Sequence, residues 1–170
     1  MNVLVTYHTR TGNTKMIADA VAEVLGTTPV AVGDNPSTET ADFIAVGFWV
    51  DRGTANKEAA DFIKTLRGKK VAFFATLGAD PRSQHAMDSL KNAAALLDES
   101  NEVVGNFICQ GKIDPKLIEA MAKFPQGHPH AMDDARRARH KAASTHPDEK
   151  DVADAKEAFR LIAEKVGLYS

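Results

Sequence analysis

The stretch Thr9-Arg10-Thr11-Gly12-Asn13-Thr14 stands between an apolar run, Val3-Leu4-Val5, and an amphipathic helical pattern, and this order constrains the chain more than any other feature. It reads as a strand, a hydroxyl-rich turn and a helix. Several N–H and O–H donors can converge there on one tetrahedral anion, with Gly12 permitting the sharp turn and the dipole of the following helix behind them. The spacing contains neither GxGxxG nor GKS/T, so dinucleotide and Walker-type readings fall away and a monophosphate cradle remains. The plainer alternative is a Ser/Thr/Asn-rich helix cap, which satisfies the first-turn N–H groups without a ligand.

The rest of the chain alternates strands and helices, as an α/β fold with a parallel sheet covered on both faces requires. Strands are expected at Asn2–Tyr7, Pro29–Val32, Phe43–Phe48, Lys70–Thr76 and Val103–Gln110. Helices are expected at Thr14–Leu25, stopped by Gly26, around Asn56–Leu66, and about Ser83–Asp98. A last helix starts near Asp148 and repeats Val152, Ala155, Phe159, Ile162 and Val166 at helical spacing. Five strands in the doubly wound order 2-1-3-4-5 follow from right-handed crossovers, and ligands then bind beyond the carboxyl ends of strands one and three.

At 170 residues, with 44% hydrophobic and 26% charged, the chain is read as one domain, 1–170, with a helical insertion at about 112–147. No apolar stretch approaches the roughly 20 residues that span a bilayer, so a cytoplasmic protein with no membrane contact is expected. A net charge of −2 offers no footprint for nucleic acid. The single Cys109 excludes an internal disulfide and Cys-based metal sites, and reads as an inert core residue.

The string TRTGNT resembles the Ser/Thr-x-Thr-Gly-Asn-Thr signature of flavodoxins, which holds the 5′-phosphate of FMN after the first strand. The resemblance covers about Met1–Gln110 and the final helix. It implies a flavodoxin-like fold, noncovalent FMN, and electron transfer to or from a partner, a flavin or iron–sulfur reductase. The strings FWVDRGTA, ATLGADP and FICQGKIDPKLI are further similar to short flavodoxin-like proteins of gut anaerobes associated with bilirubin reductase, which makes a bilin reductase one such partner. A monomer or weak dimer is expected.

On that resemblance Thr9, Arg10, Thr11, Gly12, Asn13 and Thr14 hold the phosphate, with hydroxyls from Thr11 and Thr14 and backbone N–H groups from Gly12 and Asn13. Phe48, Trp49, Val50, Asp51 and Gly53, after strand three, form one wall, with Trp49 stacked on the flavin. The plainer account of Trp49 is a side chain filling a strand end. Thr76, Leu77, Gly78, Ala79 and Asp80, after strand four, form the second wall. The aromatic residue that the family places there is absent, leaving the outer ring face open or covered by another segment. His8 is read as a loop-packing residue, and the His-rich stretch from His128 to His146 as solvated rather than metal-binding.

Two departures remain. Flavodoxin carriers are usually strongly acidic, whereas this chain is nearly neutral and sets Arg10, Arg52 and Arg82 around the expected site. The segment from Phe124 to Ser144, with Arg136, Arg137 and Arg139, is expected to be a docking element outside the cofactor site. Two other functions stay open: an FMN-dependent reductase that uses NAD(P)H on a small substrate, and a cofactor-free accessory subunit of a reductase.

Overall fold

Val3–Tyr7 forms strand β1, and Asn13–Leu25 forms helix α1, which ends at Gly26 in the left-handed conformation (φ 71°) that a helix C-terminus favours. The computed structural model describes residues 1–169. A two-residue β2 (Val30–Ala31) and a short 3-10 turn (Val32–Asp34) lead to β3 (Phe43–Asp51), β4 (Thr54–Ala55) and α2 (Lys57–Ile63). Next come β5 (Lys70–Leu77), α3 (Gln84–Ala94), β6 (Glu102–Gln110), α4 (Pro115–Ala122), α5 (Asp134–Ala143) and α6 (Glu149–Lys165).

The sheet order is β2-β1-β3-β5-β6, all parallel, with β4 antiparallel to β3. Counting only the parallel strands, this is the order expected from sequence. Strand β3 runs three residues beyond the expected Phe48, and the segment read as a loop is a β-hairpin pairing Val50 with Ala55 and Asp51 with Thr54. Its two turn residues, Arg52 (φ 51°) and Gly53 (φ 80°), take the positive φ values that a tight hairpin turn demands. Helices α2 and α3 stop short of Leu66 and Asp98. Their last residues close with i→i+3 bonds instead, Leu66 N–H to Ile63 and Leu97 N–H to Ala94.

Side chains alternate across the sheet, so β3 sends Phe43 and Ala45 to one face and Ile44, Val46 and Phe48 to the other. The first face packs under α1 and α6 through Ile17, Val21, Phe159 and Ile162. The second packs under α2 and α3 through Ile63, Leu66 and Leu90. Cys109 is buried in the first core, and that burial, with Asp151, Asp148 and Asp154 nearby, pushes its thiol far above the ordinary range. Among the described residues no helix is long and apolar enough to cross a membrane.

Candidate functional site

Parallel strands end on the same side of a sheet, so the segments after β1, β3, β5 and β6 converge beyond their carboxyl ends. They surround a cleft of about 590 Å³. The first loop contributes Thr9, Arg10, Thr11, Asn13 and Thr14, and the β3 hairpin contributes Trp49, Val50, Asp51 and Arg52. The end of β5 supplies Thr76, Leu77, Gly78 and Ala79. The segment after β6 supplies Gly111, Lys112, Ile113 and Asp114, and the insertion closes the cleft with Leu117, Met121, Arg136, Arg139 and His140.

The start of α1 is left open toward the cleft. Its N-cap is Gly12, at φ 93°, and no side chain caps it. Of the other α-helices, α3, α4, α5 and α6 are each capped by a side chain, from Ser83, Asp114, Asp133 and Asp148, whereas α2, at Asn56, is not. The hydroxyl-rich string is therefore not an ordinary cap for its own helix. The first-turn N–H groups of Asn13 and Thr14 remain at the cleft, where the helix dipole is positive.

Beside them the Thr14 and Thr76 hydroxyls, both buried, lie 3.0 Å apart. One of the two must donate to the other, which leaves a second hydroxyl proton for a group in the cleft. The Asn13 amide is turned away, donating Nδ2 to the Lys112 carbonyl at 2.8 Å and tying the loop to the β6 end. A phosphate monoester fits this donor set of N–H groups and hydroxyls.

Trp49 is half-buried and held from three sides. Its backbone N–H donates to Asn56 Oδ1 at 3.2 Å, its carbonyl accepts from the Asn56 N–H at 3.1 Å, and its indole Nε1 donates to His8 Nδ1 at 3.1 Å. Asn56 Nδ2 also reaches His8 Nδ1, at 3.0 Å, and donates to Glu58 Oε2 at 3.1 Å. Two N–H donors face one nitrogen, so His8 Nδ1 acts as an acceptor and the ring proton belongs on Nε2. The Glu58 carboxyl is held below its ordinary range by its own backbone N–H, then by the Asn56 amide. Arg10 bridges two walls, with Nε 3.0 Å from Asp114 and its guanidinium carbon 5.9 Å from the Trp49 ring centroid.

Four expected residues do not line the cleft. Phe48 is fully buried against Phe73 in the α2/α3 core, because neighbours on a strand face opposite sides and Trp49 faces the cleft. Gly53 is the hairpin tip, its carbonyl accepting from Asn92 Nδ2 at 2.7 Å. Asp80 turns its carboxylate to the Arg82 N–H at 2.9 Å, closing the turn before α3, and exposed Arg82 stays beside it. Gly12 does not offer its N–H to an anion either. That N–H donates to Thr9 Oγ1 at 3.0 Å.

The larger correction concerns the insertion. Read as a docking element at the rim and not part of the cofactor site, the segment 124–144 instead places Arg136, Arg139 and His140 in the cleft wall. The polypeptide returns there because α4 begins at Asp114, directly after β6, and Lys112 N–H donates to the His146 carbonyl at 2.8 Å. Both ends of the insertion are thus tied to the carboxyl edge of the sheet.

Gly111, Lys112, Ile113 and Asp114 could have been found by extending the strand-end rule to β6. The Asp114-Pro115 pair, a cap followed by proline at the first helical position, was a further sign. Arg139 and His140 carried no such signal. Of the other histidines, His128 stacks on Phe124 at 4.4 Å between centroids, and His146 Nδ1 lies 2.6 Å from Asp151 at the head of α6.

Comparisons with known proteins agree with this architecture. A family model described as Flavodoxin domain matches residues 4–160. The chain is 30% identical over 164 residues to the Flavodoxin-like domain-containing protein BilS of Clostridioides difficile strain CD3, covering 91% of this chain and 92% of that protein. The protein of the same name from Clostridium symbiosum strain WAL-14163 is 29% identical over 177 residues, covering 90% and 91%. Among solved structures, oxidised Flavodoxin 2 from Bacillus cereus has a TM-score of 0.58 at 20% identity, covering 97% of this chain and 99% of that one. A short-chain flavodoxin associated with a non-canonical PDU bacterial microcompartment has a TM-score of 0.62 at 14% identity, covering 98% and 100%. At such identities these structures share the fold, and with the family match over residues 4–160 they establish that the chain belongs to the flavodoxin domain family.

Proposed function

We propose that this protein binds FMN in the cleft and passes electrons through it to or from a partner reductase. The observation that carries the reading is the uncapped start of α1, which opens on the cleft beside paired threonine hydroxyls and a clamped tryptophan. In this reading Thr11, Thr14 and the first-turn N–H groups of α1 hold the phosphate. Trp49 supplies an aromatic wall, and the backbone of Leu77, Gly78 and Ala79 offers polar groups to the ring edge. The bound isoalloxazine supplies one- and two-electron redox chemistry. The protein's part is to orient it, shield it from water and set the charge around it.

A bilin reductase is included among the partners, prompted by the two BilS relatives. The reductase alternative draws on a different observation: α4 and α5 close over the cleft and line it with cations and apolar groups, as a small-molecule site would. Mixing with NAD(P)H separates the two, since rapid bleaching of the flavin by NAD(P)H alone belongs to the reductase.

The primary test is an FMN titration followed by tryptophan emission. The chain has one Trp, so quenching reports Trp49 alone. Expected are saturable quenching by FMN and weaker binding of riboflavin, which lacks the phosphate. A colourless chain that takes up no FMN, with unquenched emission, would return the protein to the cofactor-free alternative.

A further inference from the structure

The chain as a whole carries a net charge of −2, yet five Lys and Arg side chains line the cleft against only Asp51 and Asp114, an excess of three. A phosphate monoester neutralises about two of those charges. Roughly one remains. Low-dielectric walls focus such an excess on whatever anion enters.

Apart from Arg52 of the β3 hairpin, which also has no ion-pair partner among the described residues, the unused cations lie on the insertion side. Arg10 is paired with Asp114, and Arg136 donates its guanidinium to the Ala131 and Pro129 carbonyls, where it holds the turn before α5. Arg139 and Lys112 have no ion-pair partner among the described residues, and both face the cleft. Next to Arg139, the buried Nδ1 of His140 has no hydrogen-bond partner. Burial, then Arg139 and Arg136, hold that ring below its ordinary protonation range, so it enters as a neutral hydrogen-bonding group. Leu117 and Met121 of α4 line the same space, and Leu117 is left 43% exposed. Cations beside bare aliphatic surface suit a ligand that is acidic at one end and apolar along its body.

We propose that the insertion builds a second subsite in the cleft, for a small organic acid with an apolar body, whose carboxylate meets Arg139 and Lys112 and whose body lies on Leu117 and Met121. The subsite rests on the flavin reading and deepens it, since it gives the cofactor a small-molecule reaction partner. It also accounts for the position of the insertion.

The test uses 2-naphthoate and its uncharged counterpart 2-naphthamide, titrated calorimetrically into the FMN-loaded protein. Naphthoate should bind roughly ten-fold or more tightly than naphthamide, the worth of one charge-assisted contact. Arg139→Gln and Lys112→Gln should each remove most of that advantage. Arg137→Gln serves as the control, because Arg137 pairs with Asp134 and does not line the cleft, and it should change neither ligand.

Equal binding of naphthoate and naphthamide by an FMN-loaded parent overturns the subsite and leaves the flavin reading intact. Displacement of naphthoate by FMN does the same. If Arg139→Gln weakens FMN but not riboflavin, the α5 cation serves the cofactor phosphate and the subsite is wrong. A parent that takes up no FMN overturns the flavin reading and the subsite with it.

Discussion

Asn56 grips Trp49 through both peptide groups, its Oδ1 accepting from the Trp49 N–H at 3.2 Å and its own N–H donating to the Trp49 carbonyl at 3.1 Å. Asn56 is fully buried, and it orders the hairpin side of the cleft from behind. Asn56→Ala strands the Trp49 N–H and removes the second donor to His8 Nδ1 and the amide donor to Glu58. It should destabilise the protein by about 1–3 kcal/mol and weaken FMN, and Asn56→Asp, which keeps the acceptor for Trp49 but sets a buried carboxylate oxygen against Glu58 Oε2, should be no milder. Urea unfolding and Trp49 quenching measure the two effects. An alanine variant with the parent's unfolding midpoint would show that the clamp is dispensable.

The Thr14 and Thr76 hydroxyls act as one donor unit, because only one of their two protons is used between them. Thr14→Val removes a hydroxyl from the cleft and should weaken FMN by roughly one to two decades, the equivalent of a hydrogen bond to a charged group. Thr76→Val lets Thr14 keep its proton for the anion, so its cost should be smaller. Adding Thr76→Val to Thr14→Val should then change little, a non-additivity visible in a double-mutant cycle. If Thr11→Ala and Thr14→Ala both leave FMN affinity intact, the cradle is in the wrong place.

Much of this arrangement was legible in the sequence because it follows from local rules. The loop from Thr9 to Thr14 sits at a strand-to-helix junction, and Trp49 follows an apolar strand whose carboxyl end the topology brings beside it. Phe48 was misjudged where proximity in sequence was allowed to override the two-residue period of a strand. The hairpin at Arg52-Gly53 was not legible because Arg is an unusual residue at positive φ and the pair lacks the commoner Asn-Gly signature. Arg139 and His140 were beyond reach, since they enter the cleft through the path of a long insertion that no periodicity encodes.

Acid should destabilise the protein in two stages. His140 is held below its ordinary value of 6.5 by burial and the neighbouring arginines, so the unfolded chain binds its proton first and stability falls as pH drops below about 6.5. A steeper loss follows below the ordinary carboxylate values of 4.5 and 3.8. Glu58 is depressed chiefly by its backbone N–H, Asp98 by the Ser100 hydroxyl, Glu102 by Lys70, and Asp148 by the Asp151 N–H. These contributions are present above the unfolded values and vanish as pH falls through the lowered ones. Urea midpoints should therefore be flat between about pH 6.5 and 8.5, decline gently to about 4.5 and drop sharply beyond. His140→Asn should remove the gentle part alone. A parent curve flat to pH 3.5 would contradict the assignment.

Gly111 is the point where the first turn of α1 and the start of the insertion touch. A Cβ built there would stand 2.7 Å from Asn13 Nδ2 and 3.0 Å from Asn13 Cγ, the amide that donates to the Lys112 carbonyl at 2.8 Å. Gly111→Ala must push that amide away, which breaks the tie between the first turn of α1 and the entrance to α4. Asn13 is buried, so the displaced group has little water to turn to. The variant should lose about 1–3 kcal/mol of stability and bind FMN more weakly, because the first turn of α1 shifts with Asn13. Asn13→Ala alone should lose a similar amount, having given up the same bond. The two costs should not add. Once Asn13 is alanine, the two nearest of those contacts are gone and only its Cβ, 3.2 Å from the new methyl group, remains, so Gly111→Ala should cost less than half of what it costs in the parent, a coupling readable from four urea titrations. Additive losses across that cycle would mean that Gly111 is required for a reason other than its contact with Asn13.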